Sequence, residues 1–317
     1  MEYFNEMIGQ KKVKNILGFY IDAFEKTEIL PHLFIVGQRG QGKTMLATQV
    51  AKNLKSPTIG KIKPMLTVNC STLKNVRQLV EDIFLQYTRD QHITVFFDEV
   101  HEMPISIQNC LLTVLNPNKN NFNTLRFEDY NLEFDFRKIS FIFATTDPQK
   151  VITPLKDRCK MVHMEEYQYE DLAKIIETNS EDLEYDQQVL NEIASVCRGN
   201  ARNATLMAKD NILQYARRHN IFDIDSKVWS CIKELLSILP LGLEDTELQI
   251  LKILKERGQC SLTNISAVTG LSPQAIRSEF ELYPMKHGLM QVVQGGRKIT
   301  QKGNDYLKSL EKDVCLN

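Results

Sequence analysis

Residues 37–44 read Gly-Gln-Arg-Gly-Gln-Gly-Lys-Thr, which fits G-x-x-x-x-G-K-S/T, the pattern of a loop that cradles phosphates. Gly37, Gly40 and Gly42 let the backbone curl until its N–H groups face phosphate oxygens. The next helix points the positive end of its dipole at the same charge. In such a loop Lys43 reaches the β- and γ-phosphates of ATP, and the Thr44 hydroxyl ligates Mg²⁺. A second cluster, Asp98-Glu99, closes an apolar run. An aspartate at a strand end can hold Mg²⁺ through its waters, and the adjacent glutamate can orient and deprotonate an attacking water. Glu99 is the sharper clue, because a base is needed to turn ATP over and not to store it.

These groups must be carried by elements that converge. "LPHLFIVG" (30–37) is a short apolar run ending in glycine, and the spacing of Leu46, Ala47, Val50, Ala51 and Leu54 predicts a helix over 43–54. "MLTVNC" (65–70), "ITVFFDEV" (93–100) and "ISFIFATT" (139–146) read as further buried strands. Between the first two of these, 71–87 has a serine or threonine cap and an apolar face of Val76, Leu79, Val80 and Ile83, which predicts a helix. Buried runs alternating with helices argue an α/β fold with a parallel sheet covered on both faces.

Beyond about residue 165 the strand runs stop. Helical patterns occupy 169–180, 186–199, 201–220 and 225–239, and Pro240 with Gly242 then punctuates the chain. Three more helical stretches (244–258, 261–270, 272–288) precede two short β-like runs around Gly295-Gly296. Three helices and a hairpin in one module is the pattern of a winged helix-turn-helix. The expected domains are a nucleotide-binding core at 1–165, a small helical domain at 166–238 and a winged helix at 239–317.

A net charge of −1 makes the whole molecule no magnet for DNA, and 166–238, with 8 basic against 13 acidic side chains, is the acidic part. DNA contact would have to come from local patches. Arg277 on the outward side of a capped helix and Arg297 and Lys298 on the glycine hairpin suit phosphates, which position a protein without specifying sequence. Seven dispersed cysteines (70, 110, 159, 197, 231, 260 and 315) show no zinc spacing and fit reduced thiols in the cytoplasm. No run approaches a membrane span, and the acidic N-terminus lacks the regions of a signal peptide. The histidines show no ligand spacing and read as structural.

Four further segments share one order along the chain: "DEVH" after "TVFF", "FATTD" after "ISFI", "PLKDRC" at 154–159 and "RGNARNA" at 198–204. Together with the loop they resemble an AAA+ ATPase: a P-loop core, a helical lid and, here, a winged helix. With "IGQ" at 8–10, the layout from about Met7 to Leu307 is similar to the RuvB family of Holliday-junction branch-migration motors. The resemblance implies that Met7 and Ile8 flank the adenine and that Thr146 is the sensor-1 residue. It implies that Arg158 is an arginine finger reaching a neighbouring subunit's ATP and that Arg202 is sensor 2. It further implies a DNA-binding homo-oligomer, a hexameric ring, that hydrolyses ATP to move duplex or junction DNA, with a junction-binding or replication protein as a possible partner. Some residues depart from the family: Gln38-Arg39 replace its Pro-Pro, Ala201 replaces the proline before Arg202, and "EDYN" (128–131) replaces an apolar hairpin tip that docks RuvA. A loader or switch, in which ATP gates assembly on a partner at DNA, is the alternative. A DNA-binding regulator with a vestigial loop is a third reading, opposed by the intact Glu99 and Arg158.

Overall fold

Five strands form one parallel sheet: β1 (Leu33–Val36), β2 (Met65–Asn69), β3 (Ile93–Asp98), β6 (Ile139–Thr145) and β7 (Lys160–His163). Their order is β2-β3-β6-β1-β7, so β6 separates β1 from β3. Val36 is in register with Thr145, and Phe97 with Phe143. The strands are parallel, so the phosphate loop, Asp98 and Thr145 all emerge at one edge. The computed structural model describes residues 2–314, and Cys315 lies outside the described residues. Its contacts divide the chain into two units, Met1–Asp223 and Ile224–Asn317.

The apolar runs of β1, β3 and β6 are nearly continuous because each of these strands feeds two cores, alternate side chains going to opposite faces. Phe34, Val95, Phe97, Phe141 and Phe143 point to one side, where helix α4 (Ile105–Val114) supplies Ile107 and Leu111. The Phe97 and Phe143 rings stack with centroids 5.3 Å apart. Ile35, Phe96, Ile142 and Ala144 point to the other side. There they meet Leu17 and Ile21 of α1 (Lys11–Thr27) and Leu46 and Val50 of α2 (Lys43–Lys52).

The helix expected from residue 71 starts later. Asn69 accepts a hydrogen bond from the Ser71 N–H and holds 70–72 in a tight turn, and Asn75 caps α3 (Val76–Gln78), which widens into a π-helix over Leu79–Thr88. Strands β4 (Phe122–Phe127) and β5 (Tyr130–Asp135) pair as a hairpin whose turn is Glu128-Asp129, with Tyr130 and Asn131 already in the strand. Leu125, Leu132 and Phe134 turn inward, and Glu128 reaches Arg77 at 3.0 Å.

A short α5 (Thr153–Asp157) precedes β7. The chain then builds α6 (Tyr169–Thr178), α7 (Gln187–Val196) and one continuous helix. That helix runs from α8 (Ala201–Leu206) through a π-turn at Met207–Ile212 into α9 (Leu213–His219). Strand character does not vanish here: β8 (Glu184–Tyr185) and β9 (Asp223–Ile224) are two residues each, too short to read as runs.

In the second unit α10 (Ser226–Leu235) is followed by α11 (Asp245–Arg257), α12 (Leu262–Thr269) and a helix broken into α13 (Pro273–Ala275), a π-turn (Ile276–Phe280) and α14 (Leu282–Lys286). Strands β10 (Met290–Val293) and β11 (Gly296–Ile299) pair antiparallel as the wing. A last helix, α15 (Gln301–Val314), was not expected from the sequence; its Tyr306 and Leu307 join Ile250, Leu254, Ile265 and Ile276 in the core. Among the described residues no helix is long and apolar enough to cross a membrane.

Candidate nucleotide site

The phosphate loop is built on β1 and braced from several directions. Gly37 donates its N–H to the Thr145 carbonyl at 3.2 Å, and the Gln41 side chain accepts from the Gln38 N–H at 2.7 Å. Gly40 (φ 80°) and Gly42 (φ 92°) lie in the left-handed region, where glycine alone has no steric cost. The Lys43 ammonium is buried and donates to the carbonyls of Gly37 and Gln38 at 3.0 and 3.3 Å. Burial lowers its pKa, Glu99 and Asp98 raise it, and Arg202 lowers it again.

The two sequence clusters meet. Thr44 donates its hydroxyl to Asp98 Oδ2 at 3.0 Å, across 54 residues of chain. Glu99 turns away from the strand with φ 54°, its N–H bonded to Asp98 Oδ1 at 3.0 Å. The Thr146 hydroxyl lies 3.4 Å from Glu99 Oε2. These groups, with Arg39 and Arg202, line a cleft of ≈ 810 Å³, within the size range of small-molecule sites. Thr44 and Asp98 offer two hard oxygens to a cation. Among the described residues no three His, Cys, Asp or Glu side chains converge on a metal. That set fits Mg²⁺, which takes one or two protein oxygens and fills its octahedron with phosphate and water.

The structure adds residues that the sequence reading missed. His101 is no mere packing residue: it lines the cleft, with Nδ1 3.1 Å from Thr145 Oγ1 and 3.3 Å from Glu99 Oε2, and Nε2 3.2 Å from Glu102 Oε1. Its position two residues after Glu99 was the available signal. Tyr167 donates its hydroxyl to the Gln41 carbonyl at 3.2 Å, and burial pushes its pKa up to about 12. Its hydroxyl and the Met7 methyl lie 3.4 and 3.6 Å from where a Cβ on Gly42 would sit. Met7 is therefore buried behind the loop, with Ile8 half-buried beside it. Gln10 holds this segment in place, its amide bonded to both the N–H and the carbonyl of Glu165.

Arg158 is not among the lining residues of this cleft. It follows α5, donates Nη1 to the Pro154 carbonyl at 2.8 Å, and has an enclosed Nε with no hydrogen-bond partner among the described residues. It opens on a separate polar depression of ≈ 480 Å³ beside Asn116, Asn123 and Thr124. Arg277 and Lys298 are exposed. Arg297 is not, which corrects its expected place as a phosphate contact. It is 8 % accessible, and its Nε and Nη2 donate to the two oxygens of buried Glu281 at 2.7 and 2.9 Å. Its own N–H and carbonyl pair with Cys260.

Comparison with known proteins agrees with this architecture. Residues 33–167 match the family model for the ATPase family associated with various cellular activities (AAA), and 240–308 match the RuvB C-terminal winged helix domain. The Holliday junction branch migration complex subunit RuvB of Mycoplasmopsis pulmonis is 27 % identical, covering 97 % of this chain and 96 % of its own. That of Phytoplasma mali is 29 % identical over 94 % and 89 %. The structure of the Thermotoga maritima RuvB Holliday junction branch migration motor superposes with a TM-score of 0.76 over 96 % of each chain, at 22 % identity. At that identity the superposition speaks for the fold.

Proposed function

This chain is an AAA+ ATPase with a RuvB-type C-terminal winged helix, and from that premise we propose that it is an oligomeric motor that hydrolyses ATP to move branched or duplex DNA. The observation that carries the proposal is the convergence of Thr44, Asp98, Glu99 and Thr146 on one cleft edge, a hydrolytic set. Lys43 exchanges its loop carbonyls for phosphate oxygens. Glu99 takes a proton from the attacking water, which the Thr146 hydroxyl helps to orient. Mg²⁺ held by Thr44 and Asp98 would neutralise charge on the phosphates. Arg202 faces the γ-phosphate from the lid, and Arg158 does so from a neighbouring copy in a ring, a hexamer in this reading. The proposed domains are a core at 1–165, a lid at 166–238 and a winged helix at 239–317, in a cytoplasmic protein. Arg277 and Lys298 are the proposed DNA contacts.

One observation favours the loader or switch as a second reading. The hairpin turn Glu128-Asp129 is acidic, and Glu128 is tied down by Arg77. Such a tip is a poor plug for an apolar pocket on a RuvA-like partner.

The test is ATP turnover across protein concentration, alone and with duplex and four-way-junction DNA. The motor requires a rate that climbs steeply with concentration and further with DNA. Glu99→Gln should lower turnover by roughly 100-fold or more while ATP still binds. A slow rate indifferent to every DNA would move the assignment to the loader.

A further inference from the structure

The lid reaches the phosphate loop through one side chain with an unusual double role. Arg198 (φ 58°) and Gly199 (φ 67°) are both left-handed, and they turn the chain sharply into α8. Asn200 then caps that helix, its Oδ1 accepting from the N–H of Arg202 at 2.9 Å and of Asn203 at 3.2 Å. The other half of the same amide, Nδ2, donates to the Arg39 carbonyl at 2.8 Å. The Arg202 N–H is shared with the Gly40 carbonyl at 3.1 Å. Donors on one side and a carbonyl on the other fix which way the amide faces.

The phosphate loop turns its N–H groups to the ligand, and two of its carbonyls are thus taken up by the first turn of the lid helix. The fit leaves no slack. A Cβ on Gly40 would lie 2.3 Å from Asn200 Oδ1, so the glycine is required by the lid as well as by its left-handed φ. Ser, Thr and Asp cap helices as well as Asn does, but among these four only Asn also carries an amide N–H₂.

We propose that Asn200 is a positioning residue that latches the lid to the phosphate loop and so sets where Arg202 meets the nucleotide. The proposal rests on the reading that Arg202 addresses the γ-phosphate. Residues 39, 40, 200 and 202 form one bonded unit, so a change of loop shape on binding or hydrolysis is passed to the lid through two hydrogen bonds.

The test uses the full-length protein, with ATP turnover and the affinity for a non-hydrolysable ATP analogue as readouts. Asn200→Ser keeps a cap and loses the latch. It should unfold at the wild-type temperature yet lose three- to ten-fold in analogue affinity and in kcat/KM. Asn200→Asp, a second capping variant, should lose at least as much. Arg202→Ala should lose more, and Asn200→Ser on that background should add nothing, because the latch acts through Arg202. Wild-type affinity in Asn200→Ser, or a loss that adds fully to that of Arg202→Ala, overturns the latch while leaving the role of Arg202 standing. A silent Arg202→Ala would sink the underlying reading and the latch with it.

Discussion

Burial weakens the hold of Lys43 and of Lys63 on their protons, and their surroundings set the outcome for each. Lys43 is desolvated, but Glu99 and Asp98 pull its pKa back up, and a bound triphosphate would add negative charge to the same place. Lys63 has no such ligand. It is 1 % accessible, sits over the Phe24 ring at 4.6 Å and donates to Ser140 Oγ at 3.2 Å. Burial is the main cause that pushes it down to about 8, with Glu28 and Asp135 opposing. Against an ordinary value of 10.5, the folded chain binds fewer protons than the unfolded one between about pH 8 and 10.5. Stability therefore rises with pH across that window, and the cost of the buried charge is complete below it. At about 1.4 kcal/mol for each tenfold, that cost is roughly 3 kcal/mol. Lys63→Met should raise the urea midpoint near neutral pH and remove the upward slope above about pH 8. Midpoints measured at neutral pH and near pH 10 on both proteins check this. An unchanged slope in Lys63→Met would assign the proton to another group.

At the scale of elements, the wing is held by an ion pair, and the proposed DNA contact falls to what is left exposed. Glu281 and Arg297 are both nearly buried and bonded through two oxygens, and removing one partner strands the other's charge. Arg297→Ala should cost about 3–5 kcal/mol of stability. Lys298→Ala should leave stability alone, weaken DNA binding at all sequences alike, and reduce the salt slope by about one. A normal melting temperature for Arg297→Ala together with weakened DNA binding would restore it as a contact. The sequence did hold the signal: along β11, Arg297 shares a face with buried Ile299, while Lys298 alternates outward. Helix α15 also had one, in Tyr306, Leu307 and Leu310 at helical spacing among polar residues. β1, β3 and β6 were legible because burial on both faces leaves a nearly unbroken apolar run, and β2, where only Val68 is buried, was legible through its short run MLTV. β7 was not, because only Val162 of its four residues is buried. The motif residues of the cleft were legible because phosphate chemistry fixes their types and spacing. His101 carried a local signal, two residues after Glu99, whereas Tyr167 and Asn200 join the cleft through pairings 126 and 161 residues apart, which no local pattern announces.

The site of a single chain is chemically incomplete if Arg158 serves a neighbour, and that makes assembly a condition of turnover. The geometry within the chain is consistent with this: Arg158 lies off the cleft that holds Lys43 and Glu99, with an enclosed Nε that no group among the described residues satisfies. An arginine supplied in trans is worth about 10³–10⁵ in rate, so Arg158→Ala should be nearly inactive in turnover while still binding ATP. Glu99→Gln should be inactive for the opposite reason, lacking the base but carrying the arginine. The two defects lie on different sides of one interface. When the proteins are mixed in equal amounts, random head-to-tail assembly gives about one interface in four with an intact base facing an intact arginine. Turnover should then recover to about a quarter of wild type, although each parent is inactive. The double variant Arg158→Ala/Glu99→Gln mixed with either parent should recover nothing, since each such mixture lacks the base or the arginine throughout. Steady-state hydrolysis across mixing ratios measures this directly, with a maximum expected near equal amounts. A flat line at the parental rates would mean that Arg158 acts within its own chain or not at all, and the ring as a requirement for catalysis would fall with it.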